Sequence, residues 1–418
     1  TLSSSSAASD VYKRQTLPDG RTGQDILIQG ERIAAVGPAL PAPEGVPVVE
    51  ADGLLVTPPF VDAHFHLDAT LSAGLPRHNR SGTLLEGIAL WGELKPLLTP
   101  EAVIERALTY CDWAVSQGIG AIRSHVDICD DRLLAVQALL EVRRRVAPYL
   151  DLQLVAFPQD GLLRSPGALA LMHRALDLGV DVVGGIPHFE RTMAAGTESV
   201  RLACEIAAER GLRVDLHCDE SDDPLSRHVE TLAAEAIRLG LQGRITGSHL
   251  TSMHSMDNYY VSKLIPLMAE AQVRVVANPL INLTLQGRHD TYPKRRGMTR
   301  VPELMAAGLT VAFGQDCVMD PWYPLGQADL LDAAAMAVHA APMTSLVGMR
   351  SCFDAVTVNA ARVLGLDGDQ GRGAYGLAPG CRADLVLLQA RDPIEALRLR
   401  PARLLVMLSL IHISEPTR

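Results

Sequence analysis

Eight short apolar runs, separated by stretches with helical spacing, constrain this chain more than any other feature. They are LLVTPPFVDAHFH (54–66), GAIRSHVDI (120–128), LQLVAF (152–157), VDVVGGI (180–186), LRVDLHC (212–218), RITGSH (244–249), VRVVANP (273–279) and LTVAFGQD (309–316). Each reads as a β-strand. One intervening stretch shows the helical pattern clearly. Thr99 suits an N-cap, Pro100 suits the first helical position, and Val103, Ala107, Cys111 and Ala114 keep the apolar spacing. Eight strands alternating with helices over about 260 residues fit an α/β fold of the (β/α)8 TIM-barrel type, with a doubly wound open sheet as the alternative. Residues 24–37 form a hairpin pattern, and residues 379–388 give one more strand near the far end. These two pieces flank the barrel and are expected to pair into one small β module.

The two ends of the chain carry a different signal. Residues 10–15 read DVYKRQ and residues 408–413 read LSLIHI. One DNA spelling of the first, GATGTGTATAAGAGACAG, has a reverse complement that spells the second. The pair resembles a transposon-derived sequencing adapter read in both directions. Residues 1–15 and 408–418 are therefore expected to be artefact and are set aside, and His412 is discounted as a ligand. The remaining chain divides into a small domain over 16–57 and 368–407, truncated at both ends, and a barrel over 58–367.

Composition narrows the partners. The chain has 418 residues and a net charge of −10, which argues against binding a nucleic-acid backbone. No apolar run reaches the length of a membrane span. Seven scattered cysteines, never in a C-x-x-C pair, read as free thiols in a reducing cytoplasm. A small-molecule substrate and a homo-oligomer are expected.

The chemistry lies at the strand ends. His64 and His66 close the first run, Gln159 follows the third, His217 and His249 end the fifth and sixth, and Asp316 ends the eighth. In a (β/α)8 barrel that is the end where active sites are built. His64 and His66, two residues apart on a strand, point the same way. Three imidazoles (His64, His66, His217) and one carboxylate (Asp316) suit Zn²⁺ or Fe²⁺ with a position left for water. Glu220 stands three residues past His217 at the barrel mouth and suits a proton shuttle, with His249 facing the water from the opposite side. His125 reads as a packed or supporting group, and His188 as a supporting one. The fourth run has no lysine to bridge a second ion, so one divalent metal is expected.

The motifs PPFVDAHFHLD, SGTLLEGI, DLQLVAFPQDG, DVVGGIPHFE, DLHCDE, GSHLTSMHS, VANPLINLTLQGRHDTYPKRRG and DPWYPLG resemble bacterial cytosine deaminase of the amidohydrolase superfamily from about residue 50 to 330. The resemblance implies a metal-dependent barrel, a small β-sandwich built from both termini, and hydrolytic deamination of a free nucleobase with release of ammonia. It implies that His64, His66, His217 and Asp316 hold the metal and that Gln159 reads the amide-like edge of a pyrimidine. Glu220 would protonate the ring nitrogen, His249 would polarise the water, and Asp316 would also take up the water's proton. Phe157 and Trp322 would lie near the base. One position departs. Gly314-Gln315-Asp316-Cys317 stands where the family usually has Gly-His-Asp-Asp. A neutral thiol in place of the second acid opens space near the ring, so 5-methylcytosine and isocytosine join cytosine as substrates to test.

Two rival readings fall and one stays open. The zinc deaminases built on H-x-E with P-C-x-x-C need a C-x-x-C that this chain lacks. GRGAYG (371–376) follows no clear strand and reads as a loop, not a dinucleotide site. A cyclic-amide hydrolase or an inactive metal-binding homologue stays open; Gln159 and Glu220 together favour the deaminase.

Overall fold

The computed structural model describes residues 10–368 and 374–414. Sixteen strands build three sheets among the described residues. The central one contains β6 (Phe60–Phe65), β7 (Ile119–Asp127), β8 (Asp151–Phe157), β9 (Val182–Gly185), β10 (Arg213–Cys218), β11 (Ile245–His249), β12 (Arg274–Ala277) and β13 (Val311–Phe313). These eight lie side by side in chain order, and every pairing is parallel. A parallel bridge from Phe65 to Asp316 closes the ring beside β6 and β13. Seven of the eight expected runs each correspond to one of these strands; the first, 54–66, breaks at Pro58-Pro59 into Leu55–Thr57, which joins another sheet, and β6, and the open-sheet alternative falls.

The strands are buried on both faces because helices cover the outside, so they read as continuous apolar runs and not as alternating ones. The helix Pro100–Ser116 begins as its sequence implies. Thr99 Oγ1 accepts from the Ala102 amide, Pro100 occupies the first turn, and Val103, Ala107, Cys111 and Ala114 face inward. At the N-terminal end of the barrel, Val61, Ala63, Ala121, Val276 and Ala312 pack against Ala360, Ala361, Val363 and Leu364 of the helix Val358–Leu364. That plug leaves the C-terminal end as the open mouth.

The flanking pieces make two four-stranded sheets. One pairs β1 (Val11–Gln15), β2 (Gln24–Gln29), β3 (Arg32–Gly37) and β4 (Val48–Glu50). The other pairs β5 (Leu55–Thr57), β14 (Leu385–Leu388), β15 (Arg403–Leu408) and β16 (Ile411–Ser414). Tyr12, Ile26, Ile28 and Ile33 of the first share a core with Val56, Leu385, Leu387, Leu405 and Met407 of the second, which makes a sandwich from both ends of the chain. The 24–37 hairpin is present as β2 and β3. Segments set aside at the sequence level take part: β1 lies between β2 and β4, and β16 is an edge strand. The adjacent Val11 and Tyr12, β-branched and aromatic and both buried, suit a strand there, whatever the segment's origin. Of GRGAYG, residues 371–373 lie outside the described residues; Tyr375 donates its hydroxyl to the Pro59 carbonyl at 2.6 Å, in a loop. Among the described residues no helix is long and apolar enough to cross a membrane.

Candidate active site

The closing seam of the barrel places the first three site residues. His64 and His66 lie at the end of β6, and Asp316 lies just past β13. The Asp316 amide donates to the His64 carbonyl at 2.8 Å, and the His66 amide donates to the Asp316 carbonyl at 3.1 Å. This approach requires Gly314: a Cβ there would sit 2.8 Å from the His64 carbonyl oxygen and 2.7 Å from Asn278 Oδ1. β10 brings His217 to the same point.

Four ligand atoms converge there. His64 Nε2 and His66 Nε2 each lie 3.3 Å from Asp316 Oδ1, and His66 Nε2 lies 3.0 Å from His217 Nε2. All four residues are buried, and the donor atoms fall within 4.8 Å of one another. Ligands held about 2.0–2.1 Å from a tetrahedral zinc stand about 3.3 Å apart, so the spacing suits a divalent cation. Among the described residues neither ring nitrogen of His64 has a hydrogen-bond partner, nor does His217 Nδ1. Burying such atoms unpaired is costly, and a cation facing the His64 ring would relieve part of that. The donor set therefore fits a metal ion.

Glu220 and His249 face the cluster without belonging to it. His249 Nδ1 is 3.4 Å from Glu220 Oε1, and its Nε2 is 3.9 Å from Asp316 Oδ2. Asn282 fixes the histidine tautomer. Its Oδ1 accepts the Asn278 amide at 3.2 Å, which turns its Nδ2 donor onto His249 Nδ1 at 3.0 Å. Nδ1 is then an acceptor, and the proton of a neutral ring sits on Nε2, toward Asp316. Burial holds His249 well below the usual histidine range, so the ring is neutral. Burial, followed by the charge of Asp316, pushes the Glu220 carboxyl well above the usual range. Burial opposes the charge on Asp316, yet His64, with His66 beside it, keeps its carboxyl well below the usual range.

The backbone is strained at these same positions. Asp219, His249 and Asp316 take φ values of +55°, +72° and +65°. Non-glycine residues reach that region at some cost, and such strain gathers at functional sites. At Asp219 the compensation is visible. Its carboxylate accepts from Ser226 Oγ, His228 Nδ1 and the amides of His228 and Val229, all within 2.7–2.9 Å. The turn so fixed carries Glu220 back toward His249.

Above the cluster, Gln159, Glu220, Cys317, Trp322, Leu84, Ile186, Ile281 and Leu285 line a cavity with His66, His217 and Asp316. Burial, then the neighbouring Asp316, pushes the Cys317 thiol up, so it stays neutral. Phe157, expected beside a bound base, does not line this cavity. It is 1% exposed and lies flat on the His217 ring, with centroids 4.1 Å apart at 20°. It ends β8 two residues before Gln159, with its ring against the His217 imidazole. His125 packs below, 4.1 Å from the His64 ring, and His188 Nδ1 lies 3.1 Å from the His217 carbonyl. Both are supporting groups by position.

The sequence matches the model of the amidohydrolase family over residues 47–409. The chain belongs to the amidohydrolase family. The crystal structure of 5-methylcytosine deaminase from Klebsiella pneumoniae liganded with 5-fluorocytosine superposes with a TM-score of 0.94, at 41% identity over 98% of both chains. N-isopropylammelide isopropylaminohydrolase from Burkholderia multivorans gives a TM-score of 0.84 at 29% identity, again over 98% of both chains. A pterin deaminase of Rhizobium rhizogenes is 29% identical over 89% of this chain and 84% of its own.

Two groups escaped the sequence reading of this amidohydrolase. Asn278 and Asn282 hold His249. Asn278 directly follows β12, so the strand-end rule that picked out His217 and His249 applies to it as well. The other group is a buried ion pair, Arg123 with Asp215 at 2.8 Å, both fully buried beneath the imidazoles. Arg123 reads as an ordinary strand residue, and nothing local announces a partner 92 positions away.

Proposed function

We propose that this amidohydrolase hydrolytically deaminates a free cytosine-type base, and that its pocket has room for a methyl group at C5, which makes 5-methylcytosine the preferred substrate. The observation that carries this reading is Cys317. A neutral thiol, with Ile281, Leu285 and Trp322 around the same cavity, stands where the resemblance leads one to expect a carboxylate. A carboxylate there would demand hydrogen-bond donors from the base, whereas a thiol beside aliphatic side chains accepts a methyl group. The relative at 41% identity, named for 5-methylcytosine, supports the same substrate class.

In this reading His64, His66, His217 and Asp316 hold one divalent ion, zinc or ferrous iron, whose Lewis acidity makes water nucleophilic at neutral pH. Gln159 orients the base through its amide-like edge. Asp316 takes the proton released as water adds to C4, and His249 presents its Nε2–H beside that carboxylate. Glu220 delivers a proton to the ring nitrogen next to C4. Asp316 passes its proton to the amine, the C4–N4 bond breaks and ammonia leaves, and the C4 hydroxyl proton returns to Glu220, so that the product is thymine or uracil. Free thiols and a free-base substrate favour a cytoplasmic location.

Ammonia release with cytosine and 5-methylcytosine side by side tests the proposal. Faster turnover of the methylated base supports it, and no release from either would overturn it. Dialysis against a chelator is expected to remove activity and lower Tm, and Zn²⁺ or Fe²⁺ should restore both. A chelated protein that kept its rate would contradict the metal assignment. Cys317→Asp is expected to shift kcat/KM toward cytosine by about 10–200-fold, the value of one methyl contact. An unchanged ratio would count against a role for Cys317 in selectivity.

A further inference from the structure

Gly87 lies in the helix Leu84–Leu94, where glycine is a poor choice. Its neighbour explains it. A Cβ on Gly87 would stand 2.2 Å from Trp322 Cδ1 and 2.5 Å from Nε1, closer than real atoms approach. The five-membered edge of the indole is thus seated against the helix backbone. The Trp322 Nε1–H is buried without a partner in that seat, and the residue is 7% exposed. One turn along the same helix, Trp91 closes the second side, its ring 6.2 Å from Trp322. Trp91 is itself fixed, because its Nε1 donates to Asp127 Oδ2 at 2.7 Å. From below, Asp320 Oδ1 accepts the amides of Trp322 and Tyr323 at 2.9 Å each and holds the loop. The remaining side of Trp322 is the cavity it shares with Cys317 and Gln159.

We infer that Gly87 is a specificity-determining residue: by leaving its Cβ position empty it lets the Trp322 indole recede, and that recess sets the width of the pocket for the substituted edge of the base. A side chain at 87 has one way to displace the indole, into the cavity. The inference rests on the deaminase reading given above for its choice of substrates. The residue acts only through Trp322 and touches no substrate.

A double-mutant cycle of Gly87→Ala and Trp322→Leu tests it, with kcat/KM measured for 5-methylcytosine and cytosine on the metal-loaded protein. Gly87→Ala is expected to lower the 5-methylcytosine-to-cytosine ratio by about tenfold or more, the scale of one methyl contact, mainly through KM. In the Trp322→Leu background the same substitution should leave the ratio unchanged. A wild-type ratio in Gly87→Ala, or an equal shift in both backgrounds, would overturn the inference. If Gly87→Ala alone does not fold, recovery of a folded protein in the double variant supports the clash, and failure of both overturns it. If the wild-type protein deaminates neither base, the proposed function falls and the contact is read by melting. Alanine at 87 should then lower Tm only where Trp322 is present; equal Tm changes in both backgrounds would refute it.

Discussion

Replacing Glu220 with glutamine is expected to lower kcat for base deamination by about 10²–10⁴-fold, the usual worth of a positioned proton donor, while bound metal and Tm are retained. Glu220 lies outside the cluster of His64, His66, His217 and Asp316, so its replacement leaves those four donors in place; it groups separately with His249 and Asp316. It lines the cavity and stands 3.4 Å from His249 Nδ1, so its proton is within reach of a bound ring. Burial and the charge on Asp316 raise its carboxyl well above the ordinary value. The acid therefore keeps its proton beyond the pH at which an ordinary carboxyl loses it, and releases it as pH climbs through the raised value. Activity that needs this proton is present below that point and declines on the alkaline side. Stability follows the same direction. An unfolded glutamate ionises above about pH 4.3, so a buried, protonated Glu220 becomes a growing penalty as pH rises past that value. Glutamine carries no such penalty, so Tm at pH 7 should match or exceed wild type. A variant within tenfold of the wild-type kcat would remove Glu220 from the mechanism.

The contrast between Glu220 and Phe157 shows what a sequence can and cannot place. Residues at the C-terminal ends of barrel strands converge by topology, so His64, His66, His217, His249 and Asp316 were legible from run boundaries alone. Glu220 was legible as a mouth residue for the same reason. Its orientation was not, since it depends on the left-handed turn at Asp219 and on four donors from three residues seven to ten positions further on. Phe157, placed near the base by resemblance, ends β8 with its ring stacked on His217, a contact that the sequence does not specify. Asn278 and Gly87 carry no chemical signature of their own. The first matters because a histidine needs one tautomer, and the second because an indole needs an empty place. Both requirements exist only after distant strands and helices meet. The small domain was legible as a hairpin over 24–37 and one strand over 379–388, yet the partners of its strands were not: β5 joins β14 across more than three hundred residues, and no local pattern specifies a pairing of that span.

The Arg123–Asp215 pair is the sharpest case of such a non-local requirement, and Asp215→Ala is expected to cost about 3–5 kcal/mol of stability. Arg123 Nη1 donates to Asp215 Oδ2 at 2.8 Å, its Nε donates to Gln153 Oε1 at 2.7 Å, and its Nη2 donates to the Val363 carbonyl at 2.9 Å. Ser248 Oγ donates to the second carboxylate oxygen at 2.7 Å. Both side chains are fully buried. Deleting the carboxylate leaves a guanidinium without countercharge in the centre of the barrel and strands the Ser248 hydroxyl. The loss is a large part of the 5–15 kcal/mol that typically holds a domain together. Position extends the effect to the site. Asp215 and His217 point to the same side of β10, as Arg123 and His125 do on β7, so the pair forms the layer directly below the imidazoles. Asp215→Ala should therefore weaken metal retention along with Tm. The double replacement Arg123→Met with Asp215→Leu separates charge from packing. It removes the uncompensated ion and fills the space with apolar atoms, so it should melt well above the single variant. A single variant within about 1 kcal/mol of wild type, the ordinary cost of a substitution, would mean that water enters the barrel floor and solvates Arg123. A double variant as unstable as the single one would mean that the hydrogen bonds to Gln153, Val363 and Ser248 matter more than the charge balance.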